Sequence, residues 1–150
     1  MNKYKTYIND PVVNLKYPFT YSYLKNKIDL STDVPRYITV AVGVYRSSYY
    51  FSTNNYKTNP SFKKKHNNGI DYYGHAEMNL LSSFPRNFKF RKIKIFISRF
   101  PKVERTLTLA RPCIFCQRHM SEKGILPKNV FYTDSKGNWR NLLKFDKIND

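Results

Sequence analysis

The chain has 150 residues, 41% of them hydrophobic and 17% aromatic, and its 27 basic against 10 acidic side chains give a formal net charge of +17. This length and apolar content favour one folded domain over 1–150 and exclude an intrinsically disordered chain. No stretch approaches the roughly 20 apolar residues of a membrane-spanning helix, so we expect neither a membrane protein nor a membrane partner.

The excess of positive charge predicts a polyanionic or phosphate-bearing partner. A codon bias towards Lys, Asn and Tyr would enrich lysine, but it would not explain why acidic residues are so few. No apolar signal core follows the first five residues, so we expect a cytoplasmic protein, in the host cytoplasm if it is phage-encoded. Its two cysteines, Cys113 and Cys116, should then be reduced thiols.

The first half of the chain predicts one helix and two strands. Apolar side chains at Phe19, Leu24 and Ile28 are spaced for one helical face, which predicts a helix over 19–30. The β-branched run ITVAVGVY predicts a strand buried on both faces over 38–45, followed by a second strand of a hairpin over 49–52. The polar, lysine-rich segment 53–70 is expected to be a loop with a basic cluster.

The second half alternates helices and strands. A helix begins at His75 and ends before Pro85, and the alternating run KIKIFISRF predicts a strand over 92–100. A second helix is expected over 112–123, and two strands over 129–133 and 139–145 close the chain around a turn. The resulting order predicts an α/β fold, a three-layer α/β/α sandwich around one mixed five-stranded sheet.

A split motif supplies the chemistry: His75-Ala76-Glu77 and, after a proline, Cys113-Ile114-Phe115-Cys116. Imidazole and two thiolates suit zinc, and a catalytic zinc takes three protein ligands with one open position. Glu77 lies two residues after His75 and can reach a metal-bound water without being a ligand. The two cysteines could also form a thioredoxin-like redox pair, but the βαβ context and the Trp-Cys start expected of such a pair are missing. They could be half of a structural zinc finger, but the chain has no second cysteine pair.

The chain resembles the cytidine deaminase-like superfamily, particularly its phage and bacterial members, over about 38–133. The resemblance rests on the two half-motifs, on NNYKTNP at 54–60, which is similar to the family's N-x-x-K-[ST]-H-P loop, and on LARPC at 109–113. It implies the fold of that superfamily and a zinc ion held by His75, Cys113 and Cys116. It also implies that Glu77 is the catalytic proton carrier while water replaces the exocyclic amine of a base.

The same resemblance implies several contacts with the substrate. Asn54 would hydrogen bond to the sugar or base, with Asn55 as the alternative in register, and the backbone amides of Ala76 and Cys113 would position the base. Asn59 stands where the family usually has histidine, which leaves open what this loop contacts.

Other contacts are predicted from residue type alone. Arg111 is a candidate phosphate contact, and Tyr73 and Phe115 are candidate stacking platforms for a base. For Arg99 an unliganded surface cation is slightly favoured over a phosphate contact. For His119 a surface position is favoured over a spare ligand.

Three functions are consistent with the sequence. The leading prediction is zinc-dependent deamination of a nucleobase, cytosine favoured over adenine, within single-stranded DNA or RNA. The alternative is a deaminase of free nucleosides or nucleotides, such as deoxycytidine monophosphate. The third is a catalytically inactive nucleic-acid-binding protein with a structural zinc, which would have no use for Glu77. The oligomeric state stays open, and a homodimer is one option.

Overall fold

A single mixed sheet of five strands organises the computed structural model, which describes residues 9–28, 36–54 and 75–147. Within these ranges the protein is α/β with three α-helices, as predicted at the level of fold class, and no helix has the length and apolar character needed to cross a membrane. In chain order the elements are α1 (Tyr21–Asn26), β1 (Tyr37–Tyr45), β2 (Ser48–Thr53), α2 (Ala76–Ser82), β3 (Lys94–Pro101), α3 (Ile114–Glu122), β4 (Val130–Thr133) and β5 (Trp139–Asn141).

The strands lie in the order β2-β1-β3-β4-β5, and only β3 and β4 run parallel. β1 pairs antiparallel with both β2 and β3, so it is central, as its continuous apolar run predicts. Arg46 and Ser47 form the two-residue turn between β1 and β2, with φ of 49° and 66°. Positive φ at both central residues matches the right-handed twist of the two strands.

Side chains alternate across the sheet into two hydrophobic cores. Val40, Val42 and Phe96 pack with Leu24 of α1 in one core. The other core contains residues of β1, β3, α2 and α3, among them Ala41, Ile95, Ile97, Leu80 and Met120. Ile93 also belongs to this second core, so the alternate residues Ile93, Ile95 and Ile97 share one side of the sheet. The helices that carry the two half-motifs, α2 and α3, therefore share one side of the sheet.

Several element boundaries differ from the expected ones. α1 has six residues and begins after Thr20, whose hydroxyl accepts a hydrogen bond from the Tyr23 N–H at 3.3 Å; positions 29 and 30 of the predicted helix lie outside the described residues. β5 ends at Asn141 instead of at position 145. Beyond it the backbone N–H of Leu143 donates to the Asp10 side chain and that of Asp146 donates to the Gln117 side chain. Hydrogen bonds to side chains therefore take the place of pairing with a neighbouring strand.

Candidate metal centre

Three predicted ligands converge where α2 and α3 begin. His75 precedes the first residue of α2 and Cys113 precedes that of α3. His75 Nδ1 lies 3.3 Å from Cys116 Sγ and 3.8 Å from Cys113 Sγ, and the three donor atoms all lie within 4.8 Å of one another. These residues, called the metal cluster below, could hold a metal ion.

Local hydrogen bonds hold both helix starts. The Cys113 Sγ accepts a bond from the Cys116 N–H at 3.5 Å and so acts as the N-cap of α3. In α2 the Asn79 N–H donates to the His75 carbonyl at 3.0 Å. The Asn79 side chain donates to the Thr53 carbonyl at 2.8 Å and ties α2 to the end of β2. Sequence spacing predicts the helix starts, whereas the tie to β2 comes only from the fold.

The two thiols of the metal cluster differ in proton affinity. A hydrogen bond from Cys116, opposed by burial and assisted by His75, lowers the pKa of Cys113 to about 4. That same bond, together with burial, raises the pKa of Cys116 well above its ordinary value. Burial alone would lower the pKa of His75, but the contact with Cys113 and the charge of Glu77 raise it overall. Metal binding would displace the protons held by His75 and Cys116.

Glu77 lies beside the metal cluster and is not part of it. Its side chain is buried, with 5% exposure. Burial raises the pKa of Glu77, and the positive charge of His75 and a hydrogen bond with Cys116 partly offset this effect. A buried carboxyl group next to three potential ligands is suited to exchanging a proton with a bound molecule.

The metal cluster opens into a cavity of about 260 Å³. This volume lies just below the roughly 300 to 1,000 Å³ of most small-molecule sites and suits one small ring compound. Among the described residues, the lining consists of Thr39, Asn54, His75, Ala76, Glu77, Arg99, Leu109, Ala110, Arg111 and Cys113. The cavity therefore brings together both half-motifs and the ends of β1, β2 and β3.

The predicted substrate contacts are distributed unevenly around this cavity. Ala76 and Asn54 line it, but the Asn54 amide also bridges β1: its Oδ1 accepts from the Thr39 N–H, and its Nδ2 donates to the Tyr37 carbonyl, each at 3.0 Å. Phe115 packs beside Met78 and Cys116 and is not among the lining residues. Tyr73, Asn55 and Asn59 lie outside the described residues. These roles stay predictions.

Arg111 lines the cavity, but carboxylates hold its guanidinium. Nε lies 3.3 Å from Asp10, and both terminal nitrogens donate to the two oxygens of Asp146. The hydroxyl of Tyr132 donates to Asp10, and Gln117 bonds both to Asp146 and to the Pro112 carbonyl. These five residues, Asp10, Arg111, Gln117, Tyr132 and Asp146, form what we call the Arg111 cluster.

One expectation about another side chain was wrong. His119 is buried, with 6% exposure, instead of lying on the surface, and it is not among the metal-cluster residues. Arg99 is half-buried and lines the cavity. Thr39 also lines the cavity and was missed, although it is a polar residue within the apolar run of β1, which was a usable signal.

The chain matches no protein-family model, and no curated protein matches it. The geometry of the cavity and the motifs that line it are therefore the only basis here for assigning a function.

Proposed function

We propose that the protein is a zinc-dependent nucleobase deaminase of the cytidine deaminase-like type, acting on cytosine in preference to adenine within single-stranded DNA or RNA. One observation carries this proposal: His75, Cys113 and Cys116 converge at the starts of two helices, with the buried carboxyl group of Glu77 in the same cavity. A structural zinc site would have no use for that carboxyl group.

The distances within the metal cluster support zinc. With Zn–S bonds of about 2.3 Å and Zn–N bonds of about 2.1 Å, tetrahedral geometry places a sulfur and a nitrogen ligand about 3.6 Å apart. The two observed separations of 3.3 Å and 3.8 Å lie on either side of this value. Three ligands from the chain would leave one coordination position for water, as in catalytic sites.

The chain's own residues can carry the remaining steps of a hydrolytic deamination. When bound, zinc lowers the pKa of water so that a nucleophile is available near neutral pH. Glu77 accepts the proton that this water loses and passes it to the ring nitrogen of the base. The water oxygen bonds to the carbon that bears the exocyclic amine, the second proton of the water passes to that amine, the carbon–nitrogen bond breaks, and ammonia leaves. Ala76 lines the cavity at the first turn of α2, where its backbone amide can orient the base.

A polynucleotide substrate is supported by the net charge of +17, since single strands are bound by cations along the backbone. A second candidate, deamination of free nucleosides or nucleotides, has its own support. β4 and β5 form an antiparallel hairpin, and a hairpin at this place is similar to that of the superfamily branch that acts on free cytidine. Similar hairpins also occur in branches that act on polynucleotides.

A panel of substrates tests the proposal. Zinc-loaded protein would be incubated with single-stranded DNA, single-stranded RNA, cytidine, deoxycytidine monophosphate and adenosine, and products read by sequencing and mass spectrometry. We expect conversion of cytosine to uracil in at least one single strand. Conversion of the free compounds alone would replace the leading proposal by the second candidate, and no conversion of any compound would contradict both.

Glu77→Ala should abolish turnover and leave zinc binding and folding intact. Loss of a general acid–base group costs about 10²- to 10⁴-fold in rate, so turnover should fall by at least that factor. Glu122→Ala is the matched control, because it removes a carboxylate of α3 that pairs with Arg118 away from the cavity. Unchanged turnover in Glu77→Ala would favour a binding protein with a structural zinc.

A further inference from the structure

We propose that Arg99 is the phosphate-binding residue of the cavity, contacting either the 5′-phosphate of a nucleotide or a phosphodiester of a strand. The inference deepens the proposed function, because it names the group that anchors the substrate beside the metal cluster. It rests on the position of Arg99, on the state of its guanidinium and on the contrast with Arg111.

The position of Arg99 follows from the register of the sheet. It lies on β3 opposite Thr39 of β1, and both residues line the cavity with His75 and Glu77. Alternation along β3 puts Arg99 on the same face as Ile97, which packs in the core shared with α2 and α3. This face carries both half-motifs, so a cation here lies at the wall of the candidate active site.

The guanidinium of Arg99 is held in place but not neutralised. It stacks over the ring of Tyr37 at 4.5 Å from the ring centroid, which restricts its orientation without supplying a charge. Its Nε is buried, and this N–H has no acceptor within the part of the chain that the structure describes. Buried donors of this kind are rare in folded proteins, and a bound anion or a water molecule is one source of the missing acceptor. A phosphate presents paired oxygens that accept from Nε and a terminal nitrogen together.

Arg111 lines the same cavity, but its guanidinium is paired with carboxylates. Its one positive charge faces two carboxylates, Asp10 and Asp146, both within ion-pair distance. A phosphate approaching Arg111 would meet a local excess of negative charge and would have to displace a bidentate partner. No carboxylate of the described residues pairs with Arg99. The anion is therefore expected at Arg99, whereas Arg111 supports the start of α3.

The test compares substrates with and without phosphate. Zinc-loaded wild type, Arg99→Gln and Arg99→Lys would be assayed on cytidine, on deoxycytidine monophosphate and on an oligonucleotide with one internal cytosine and no terminal phosphate. Arg86→Gln, an exposed arginine that does not line the cavity, removes the same charge and serves as the control. For Arg99→Gln we expect kcat/KM to fall about 10- to 100-fold more on a phosphate-bearing substrate than on cytidine, mainly through KM.

Which substrate is affected identifies the source of the phosphate. A loss confined to the mononucleotide assigns Arg99 to a 5′-phosphate, and a loss on the oligonucleotide assigns it to a phosphodiester. Arg99→Lys keeps the positive charge but lacks the planar guanidinium. Its kcat/KM on the phosphate-bearing substrate should therefore lie between the values of Arg99→Gln and wild type. Equal loss on cytidine and on the phosphate-bearing compounds would overturn the proposal, since it would indicate a structural role.

A second measurement separates this proposal from the deaminase proposal. Inorganic phosphate would be titrated into the zinc-loaded proteins and followed by NMR, with thermal unfolding used to verify that each variant is folded. Saturable binding by wild type and Arg86→Gln, weakened at least about tenfold in Arg99→Gln, supports the phosphate site even if no base is deaminated. Equal phosphate binding by Arg99→Gln and wild type overturns the site even if deamination is found.

Discussion

Two polar clusters meet near the start of α3 and differ in the chemistry of the groups that they bring together. In the Arg111 cluster, Arg111 and Asp146 are paired, and Gln117 donates to Asp146 and accepts from its backbone. In the metal cluster, three donor atoms converge on one point, and a buried carboxyl group stands beside them. Buried polar groups that form ion pairs and hydrogen bonds with each other satisfy the needs of the fold, whereas metal-ligating side chains that converge beside a carboxyl group of raised pKa indicate a candidate binding site.

The two clusters are also connected. Gln117 donates to the Pro112 carbonyl at 2.9 Å and to Asp146 at 3.1 Å. The C-terminal segment therefore supports the turn that precedes Cys113. We therefore predict that the metal cluster determines metal binding and that the Arg111 cluster mainly determines stability. The Arg111 cluster should affect metal binding only by holding Cys113 in position.

The largest expected effect follows from removing a ligand. Cys116→Ser should weaken zinc binding by more than about 100-fold, because even partners of ligands are commonly worth 10- to 100-fold. Competition with a chromophoric chelator measures the affinity, and metal analysis measures the zinc content. Wild type stripped of zinc by a chelator is the control, and its thermal midpoint should match that of Cys116→Ser. Full zinc content in Cys116→Ser would contradict the ligand assignment.

A smaller and different effect is expected in the Arg111 cluster. Asp146→Asn removes the charge of a bidentate partner of Arg111 and should lower the free energy of unfolding by about 2 kcal/mol, as expected for a hydrogen bond to a charged group. Zinc affinity should fall by about tenfold or less. Urea denaturation of zinc-loaded protein measures the first effect. If Asp146→Asn lost zinc as completely as Cys116→Ser, the distinction between the two clusters would fail.

The smallest effect concerns acid stability at Asp134, in the turn before β5. Burial alone would raise the pKa of Asp134, but the bond from Arg140 at 2.7 Å and backbone N–H donors outweigh it and lower the pKa. Because the folded-state pKa is below the unfolded one, this stabilisation is present above about pH 4 and is lost as the pH falls through the folded value.

Asp134→Asn should therefore lower the free energy of unfolding at neutral pH by about 1 kcal/mol and flatten its decrease below about pH 4. Glu104→Gln, at an exposed carboxylate, is the control. Urea denaturation of both variants between about pH 2 and 7 measures the effect. An unchanged acid profile in Asp134→Asn would show that the turn contributes nothing to the pH dependence.

The strands follow from local pattern to different degrees. The β-branched run at 38–45 is sufficient to predict β1, since only a central strand buries both faces. The alternation of Ile93, Ile95 and Ile97 predicts that these three side chains share one face, and all three lie in the same core. The end of β5 could not be predicted, because the backbone beyond Asn141 bonds to side chains of Asp10 and Gln117, which are distant in sequence.

The sequence by itself selected the candidate metal ligands. Residue type and spacing singled out His75, Cys113 and Cys116, and the structure brings these three side chains together. Only the tertiary structure distinguished the two arginines. Arg99 and Arg111 are alike as residues, but Asp10 and Asp146 neutralise one and Tyr37 merely orients the other. The charge available to a ligand depends on partners that meet through folding, and no local pattern encodes them.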